Sequence, residues 1–560
     1  MTSVAGASDD AGRAYELGLD AARRHAEGVF YTPPDVARGL LVLAVEGERL
    51  DPPRRPLVCD PTCGAGAFLV VAADLLEATG HDPRVIVEDL IWGADVDADA
   101  IAVARSMLEK WAADRQVDAE PRHLVVGDTL LDGQGAWPDP PEAGFDVVVG
   151  NPPFQSQLAT TTARSAERAA LVRQRLGVVA APYTDSAALF LVVACRMAVP
   201  GGRVVMIVPE SLLAARDAAP ARAAVLVEAS IVGLWWAGEP VFAADVRVCA
   251  PVLEVGARRP GRVRRWRGRT FEPVVSADAA NSSLQPVTAV SAGEASWSPL
   301  LAALRGTPSV VLGEHPGATA LESMATSTAG FRDQYYGVAP HVFEWERDGP
   351  EGTERAVDPH PIRLITAGLI DPLHCRWGAA STRFAKVDWH APVVDLDGLD
   401  SADPRLAAWA VDRLVPKVVV AAQTRVVEAA VDLDGSWWPS VPTIAVVPRS
   451  GELADLWRIA AVLTAPPVSA WALNHFGGSA LSSDAVKLSA RQVLAIPLPG
   501  DAGAWAAGAE AVAAAQGAAD RADADGWKLA LVESGDAMTR AYGAGDDVRE
   551  WWQQRLPDWR

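Results

Sequence analysis

The sequence predicts an α/β protein whose first half is a doubly wound, mostly parallel sheet. Three observations carry that prediction. Short apolar runs of strand length recur between residues 57 and 208. Segments with helical spacing separate them. Acids, glycines or an asparagine directly follow the runs, where ligands bind in open α/β sheets. In order, Leu57-Val58-Cys59 reads as a strand ending at Asp60, and Ala67 to Thr79 as a helix. Leu90 to Ala94 is a strand ending at Asp95 to Asp97, followed by a helix over Asp99 to Ala113. Leu124-Val125-Val126 leads into Gly127-Asp128, Phe145 to Val149 enters Gly150-Asn151, and Gly202 to Val208 is a fifth strand.

Length and composition bound the rest. A chain of 560 residues has room for roughly three or four domain-sized units, fewer if they are large. Half of its residues are hydrophobic, ample for sizeable cores. No apolar run approaches the ~20 residues of a membrane span, since Arg196 interrupts the longest, Ala187 to Val199. The acidic, small-residue stretch from Met1 to Asp20 has no apolar region of a secretory signal. Cysteines at 59, 63, 195, 249 and 375 show neither metal-ligand nor disulfide-framework spacing. The expectation is a cytoplasmic protein with reduced thiols and no metal.

Asp60-Pro61-Thr62-Cys63-Gly64-Ala65-Gly66-Ala67-Phe68 follows a strand and opens a helix. Glycine lets the backbone turn tightly and approach a ligand closely. A glycine turn alone is equally a plain connector. Its context adds Asp95, where an acid can accept from both ribose hydroxyls, and Asp128, where one can accept from an adenine amine. Either acid alone reads as a helix cap. Acids on three consecutive strand ends favour a nucleoside-containing cofactor.

Asn151-Pro152-Pro153-Phe154 is the sharpest signal. Two prolines fix φ and remove two backbone donors. The Asn151 side-chain oxygen and the Pro152 carbonyl can then both accept from one amino group. An aromatic amine is a poor nucleophile because its lone pair is delocalised into the ring. Two acceptors on its hydrogens favour a pyramidal nitrogen and stabilise the charge that develops during attack on a sulfonium methyl. Phe154 offers a face for a flat base. The alternative is a rigid turn with a core aromatic.

These motifs resemble the amino-methylating DNA methyltransferases, specifically adenine-N6 enzymes of the gamma motif order, in restriction-modification or phage-defence systems, with a C-terminal target recognition domain. Gly28-Val29-Phe30-Tyr31-Thr32-Pro33-Pro34 resembles the cofactor motif that precedes the glycine turn in that order. Ser186 to Cys195 and Pro200 to Leu212 resemble later catalytic motifs, and a looser likeness continues through Leu364 to Pro372, Lys417 to Asp434 and Ala495 to Pro499. The resemblance implies a seven-stranded Rossmann-like methyltransferase sheet that binds S-adenosylmethionine, a mixed α+β target recognition domain, and a helical tail. A composition shift near Gly256 and an alanine-rich, helical stretch after Pro499 set the bounds: an N-terminal arm over 1–25, the methyltransferase domain over 26–257, target recognition over 258–500, and a tail over 501–560, ending in Trp551, Trp552 and Trp559, that is expected to pack on the protein.

Carried over position by position, Thr32 would contact the methionine part of the cofactor, and Asp60, Thr62, Gly64 and Gly66 would line its amino-acid end. Asp95 would take the ribose, in place of the longer Glu often found there. Val96 would lie against the adenine, and Asp128 and Thr129 at its edge. Within the catalytic motif Asn151-Pro152-Pro153-Phe154, Asn151 and Pro152 would hold the target amine, and Phe154 would stack on the flipped-out base. Gly238-Glu239-Pro240-Val241-Phe242 resembles a motif supplying a second aromatic, Phe242, for which a core role is an equal alternative.

The partner implied is double-stranded DNA, with further subunits of a restriction or defence system possible. A net charge of −21 sits awkwardly with it. The acidic excess falls mainly before residue 257 and after 501, which moves the expected DNA contacts to 258–500. Arg258 to Arg269 holds seven arginines and no acid, so Arg264, Arg265 and Arg267 are candidate phosphate contacts; a solvated strand facing the acidic half is the alternative. Gln334-Tyr335-Tyr336, Lys417, Gln423, Arg425 and Lys487 are weaker candidates. No acidic-acidic-lysine cluster precedes the catalytic motifs, so no DNA cleavage is expected. Two other functions use related motifs: methylation of protein glutamine amides or ribosomal RNA guanine amines, and a non-catalytic DNA-binding specificity subunit.

Overall fold

In a computed structural model the chain divides into two compact units, Met1–Leu304 and Arg305–Arg560. The structure describes residues 32–46, 50–154, 163–181, 184–242, 246–256, 263–274, 296–315, 317–329, 332–345, 361–477 and 485–559. Gly28 to Tyr31 of the first motif and Arg258, Arg259 and Arg262 of the arginine run lie outside them.

The first unit is built on one sheet. Its strands are β1 Val58–Asp60, β2 Ile91–Asp95, β3 Leu124–Val126, β4 Phe145–Gly150, β5 Ala198–Met206, β6 Val208–Pro209, β7 Ala229–Trp236, β8 Val248–Val255, β9 Arg264–Arg267 and β10 Glu272–Pro273. The order is β10-β9-β7-β8-β5-β4-β1-β2-β3, with β6 on β8. Strands β3, β2, β1, β4 and β5 run parallel, and β8 is antiparallel to both β5 and β7. Seven strands, β3 through β7, form the expected doubly wound sheet. Nearly all residues of β1, β2 and β4 are buried, as continuous apolar runs in a parallel sheet require. Order reverses between β1 and β4, so the crevice beyond their carboxyl ends is the expected binding place.

Helices α1 Pro34–Val45, α2 Ala67–Ala78, α3 Ala98–Ala113, α4 Thr129–Asp132, α5 Ala163–Leu176 and α6 Ser186–Met197 connect these strands. Predicted and observed bounds agree closely because caps mark them. Gly66 takes a left-handed φ of 89° before α2, and Asp97 accepts from the Asp99 amide before α3 at 2.9 Å. The mostly buried α6 makes the crossover from β4 to β5. Helix α5 is therefore an insertion that departs from the carboxyl end of β4 before that crossover begins.

The arginine run departs from expectation. Its residues 264–267 form β9, which pairs parallel to β7, with Trp235 opposite Trp266. A Cβ at Gly233 would lie 2.5 Å from the Trp266 ring, so glycine is what admits that indole. The methyltransferase sheet thus gains an extra edge hairpin, and the first unit runs to Leu304 rather than ending near 257.

The second unit contains two four-stranded sheets. One is antiparallel, in the order Ala325–Ala329, Thr443–Pro448, Lys417–Ala421, Glu428–Asp432. The other orders Val342–Glu344, Pro392–Val394, Arg363–Ile365 and Trp437–Pro439. Helices Leu453–Thr464, Pro466–Phe476, Ala502–Asp520 and Ala524–Ala541 share one core with the first sheet. The helical tail over 501–560 packs into this core, with Trp551 and Trp552 buried. Trp559 stacks on His374 at 4.4 Å. No single described helix is long and apolar enough to cross a membrane.

Candidate active site

The glycine turn brings its acids together by backbone bonds. The Cys63 amide donates to the Ala94 carbonyl at 2.9 Å, and the Gly64 amide to the Asp95 carboxylate at 2.9 Å. Asp95 also accepts from the Asp97 amide at 2.9 Å, and the Gly127 amide donates to the Asp95 carbonyl at 2.9 Å. The ends of β1, β2 and β3 are thus laced into one rim. Gly64 takes a left-handed φ of 51°, and a Cβ there would meet no atom within 4 Å, so the turn opens onto empty space. Asp60 is 1 % exposed and accepts from the Thr62 amide at 2.9 Å. Burial, aided by the charge of Asp95, pushes its carboxyl up to about 8. Burial also raises the Asp95 carboxyl. An acid held this way gains most from a ligand that brings a positive charge.

Val96 is 64 % exposed. An uncovered valine at the mouth of a crevice suits the flat apolar face of a base. Thr32 is buried immediately before α1. Two of the predicted contact residues already have partners within the chain. Thr129 is 1 % exposed, and its hydroxyl donates to the Pro61 carbonyl at 2.7 Å, tying the end of β3 to the glycine turn. Asp128 caps α4 and is gripped by Arg168 of α5, with Nε at 2.7 Å and a terminal nitrogen at 3.2 Å.

Asn151 follows β4 directly, and β4 pairs parallel with β1, which ends at Asp60. A Cβ at Gly150 would lie 2.7 Å from Asp60 Oδ1 and 3.1 Å from both Thr62 Oγ1 and Met206 Cε. Only glycine lets the Asn151 turn close on the glycine turn. Pro152 is buried, and the Pro153 carbonyl accepts from the Ser186 hydroxyl. Ser186 begins α6, whose N-cap Asp185 accepts from the Ala187 amide at 2.8 Å. The Asp185-Ser186 pair before an apolar helix is a start signal that places this strap in the sequence. Phe154 meets Phe242 edge to face, centroids 6.3 Å apart at 60°. Two aromatics 88 positions apart in the sequence therefore share one corner. Sequence reasoning misses Arg168 and Gly150, because no local pattern marks a partner on another strand end.

The arginine run is placed less favourably than expected. Arg265 is 9 % exposed, and burial lowers its pKa. Arg264 pairs with Glu46 at 2.5 Å and Arg269 with Asp35 at 2.7 Å, while Arg267 lies 3.9 Å from Glu272. These contacts match the alternative of a strand facing the acidic half. In the second unit, Lys417 is fully buried against Asp432, which excludes it from any surface contact. The Tyr335 hydroxyl accepts from the Ala385 amide at 2.7 Å, and its ring packs on Phe384. Tyr336 is 59 % exposed, and Gln334 lies on the helix Arg332–Val338 with it. Gln423 stands opposite Lys487 in a two-stranded ribbon, with Arg425 exposed nearby in the chain. No group of three or more His, Cys, Asp and Glu side chains among the described residues has metal-site geometry.

With this geometry in view, comparison with known proteins is specific. Residues 6–250 match the family model described as N-6 DNA Methylase. The Type II methyltransferase M.VspI of Vibrio sp. (strain 343) is 28 % identical over 145 residues, covering 26 % of this chain and 29 % of that protein. The Type II methyltransferase M.MamI of Microbacterium ammoniaphilum is 29 % identical over 154 residues, covering 26 % of this chain and 40 % of that protein. The chain thus matches less than half the length of these curated relatives. The Type IIL restriction-modification enzyme MmeI, solved in complex with DNA, aligns over 98 % of this chain and 82 % of its own. That alignment has a TM-score of 0.61 at 14 % identity, a likeness of fold that extends through both units. Over residues 6–250 the chain is thus similar to the N-6 DNA methylase family, a match that spans a little under half of its length.

Proposed function

We propose that this protein is a DNA adenine-N6 methyltransferase that uses S-adenosylmethionine and acts in a restriction-modification or defence setting. The observation that carries the reading is the closure of Asn151-Pro152-Pro153-Phe154 onto the Asp60 turn through Gly150. It brings the Asn151 motif beside the buried acid Asp60, an arrangement that supports a cationic nucleoside next to a target amine. When bound, the cofactor supplies an electrophilic methyl on a sulfonium. Asp60, Gly64 and Asp95 would hold its amino-acid and ribose parts, with Val96 under its base. Asp128 would take the adenine edge, and Thr129 acts one step back, positioning Pro61.

The chain's own residues do the rest by alignment. Asn151 and the Pro152 carbonyl accept from the target amine, leaving its lone pair directed at the methyl. Ser186 keeps the Pro153 carbonyl in place, so the turn holds its shape when a base enters. Phe154 and Phe242 form an apolar corner for a base removed from the duplex, a step that costs a few kcal/mol. No covalent bond to the protein is required.

Single-molecule sequencing of DNA from a host expressing the protein tests the reading directly. Modified adenine at one sequence context is expected from the wild type, and none from Asn151→Ala. Adenine methylation at wild-type levels in Asn151→Ala would sink the mechanism. Labelling of protein or ribosomal RNA instead of DNA would replace the substrate.

A further inference from the structure

Ion pairing in the first unit singles out two segments. Among its described residues, nearly every exposed Arg or Lys forms an ion pair with an acid: Arg38, Arg54, Arg55, Arg84, Lys110, Arg122, Arg168, Arg196, Arg264, Arg267 and Arg269. Three exposed arginines do not: Arg173 and Arg175 on α5, and Arg216. Nearby acids Glu167 and Asp217 are exposed, yet neither pairs with them among the described residues. The sequence around α5 is itself an exception in an acidic chain, with five arginines and two acids between 151 and 200.

All three belong to segments tied to the Asn151 turn. Helix α5 is the insertion that leaves the carboxyl end of β4, and Arg168 anchors it to Asp128 at the carboxyl end of β3. Ala169, Val172 and Leu176 make its buried stripe. At 100° per residue Arg173 and Arg175 fall on opposite flanks of that stripe, and both reach solvent. Arg216 opens a short turn after the carboxyl end of β5. The next residue's carbonyl, that of Asp217, accepts from the Thr184 hydroxyl at 2.9 Å. Two residues beyond Thr184, Ser186 holds the Pro153 carbonyl. Val172, Leu176 and Val179 share one apolar cluster with Leu212, Leu213 and Val225, which fixes the two arginine-bearing segments relative to each other.

We infer that Arg173, Arg175 and Arg216 bind the phosphate backbone of the target duplex beside the extruded base. The inference rests on the DNA substrate proposed above. Unpaired guanidiniums are the groups that bind phosphates without first breaking an ion pair. The arginine strand β9 lacks that property, since its exposed arginines already face acids.

Equilibrium DNA binding by the full-length protein over a salt series tests this. The plot of log affinity against log salt is expected to flatten by about 0.9 for each phosphate left without its arginine, so by up to about 2.7 in R173A/R175A/R216A. Cognate and non-cognate duplexes should weaken alike, with cofactor binding unchanged as evidence of folding. The double variant R264A/R267A tests the competing location. An unchanged slope in the triple variant, or a flatter slope in the double variant instead, overturns the assignment even if the wild type methylates DNA. A wild-type chain that neither binds nor methylates DNA overturns both this inference and the proposed substrate.

Discussion

At Asp60 a carboxyl sits in an apolar strand end with the charge of Asp95 close by. Unfolded, an aspartate titrates near 4; folded, this one holds its proton to about 8. The folded state binds the extra proton between those values, so its stability falls as pH rises from about 4 to 8. Asp60→Asn removes that dependence. Its melting temperature relative to wild type is expected to climb by a few degrees between about pH 5 and 8, while cofactor binding is lost. A difference that is flat with pH would show that Asp60 is ionised throughout. The same proton bears on the ligand. A cation drawn to Asp60 favours the charged form, so cofactor affinity should increase toward pH 8 and level off above it. Calorimetry at neutral pH in two buffers of unlike ionisation heat would read the released proton.

The elements are legible in the sequence where their ends carry chemistry. Asp60, Asp95 and Asn151 each follow a buried run, and each sits at or directly after the end of a strand in the structure. Pairings between distant elements are not legible. Nothing local to Arg168 indicates Asp128, forty positions away, and nothing in the arginine run says that Trp266 will lie over Gly233. Charge draws attention to that run, whereas the packing of its one tryptophan decides where it goes. Gly150 is the element-scale counterpart of Asn151, since β1 and β4 approach at a point where no side chain fits. Gly150→Ala is expected to cost about 1–3 kcal/mol of stability, with cofactor affinity reduced as the two turns are forced apart. Chemical denaturation and calorimetry check both effects. A variant that keeps wild-type stability and affinity would mean that the two turns can separate freely.

Over the whole molecule, the two units rely on different interiors. The first buries acids at the carboxyl ends of its parallel strands. The second buries an ion pair, Lys417–Asp432, in which the carboxylate also accepts from the Ser436 and Trp437 amides. Lys417→Met leaves that carboxylate without its counter-charge in an apolar core. A loss of about 3–5 kcal/mol is expected in the unfolding of that unit, with cofactor binding retained by the full chain. Thermal melts followed by tryptophan fluorescence would report it, and a loss under about 1 kcal/mol would show that Asp432 is satisfied by its backbone donors alone. Lys417 reads as a surface cation in the sequence because composition cannot reveal that its strand lies inside a sheet.

The hairpin of β9 and β10 also determines where the chain can be cut. Strand β7 has β8 on one side and β9 on the other. A fragment ending at 257, where the composition changes, would strip β9 away. It would leave a row of unpaired amides and carbonyls along β7, with Trp235 and Trp236 on the same strand. Such an edge invites pairing between copies. A fragment that keeps this flank closed must extend past Pro273, and the first compact unit that contains the hairpin ends at Leu304.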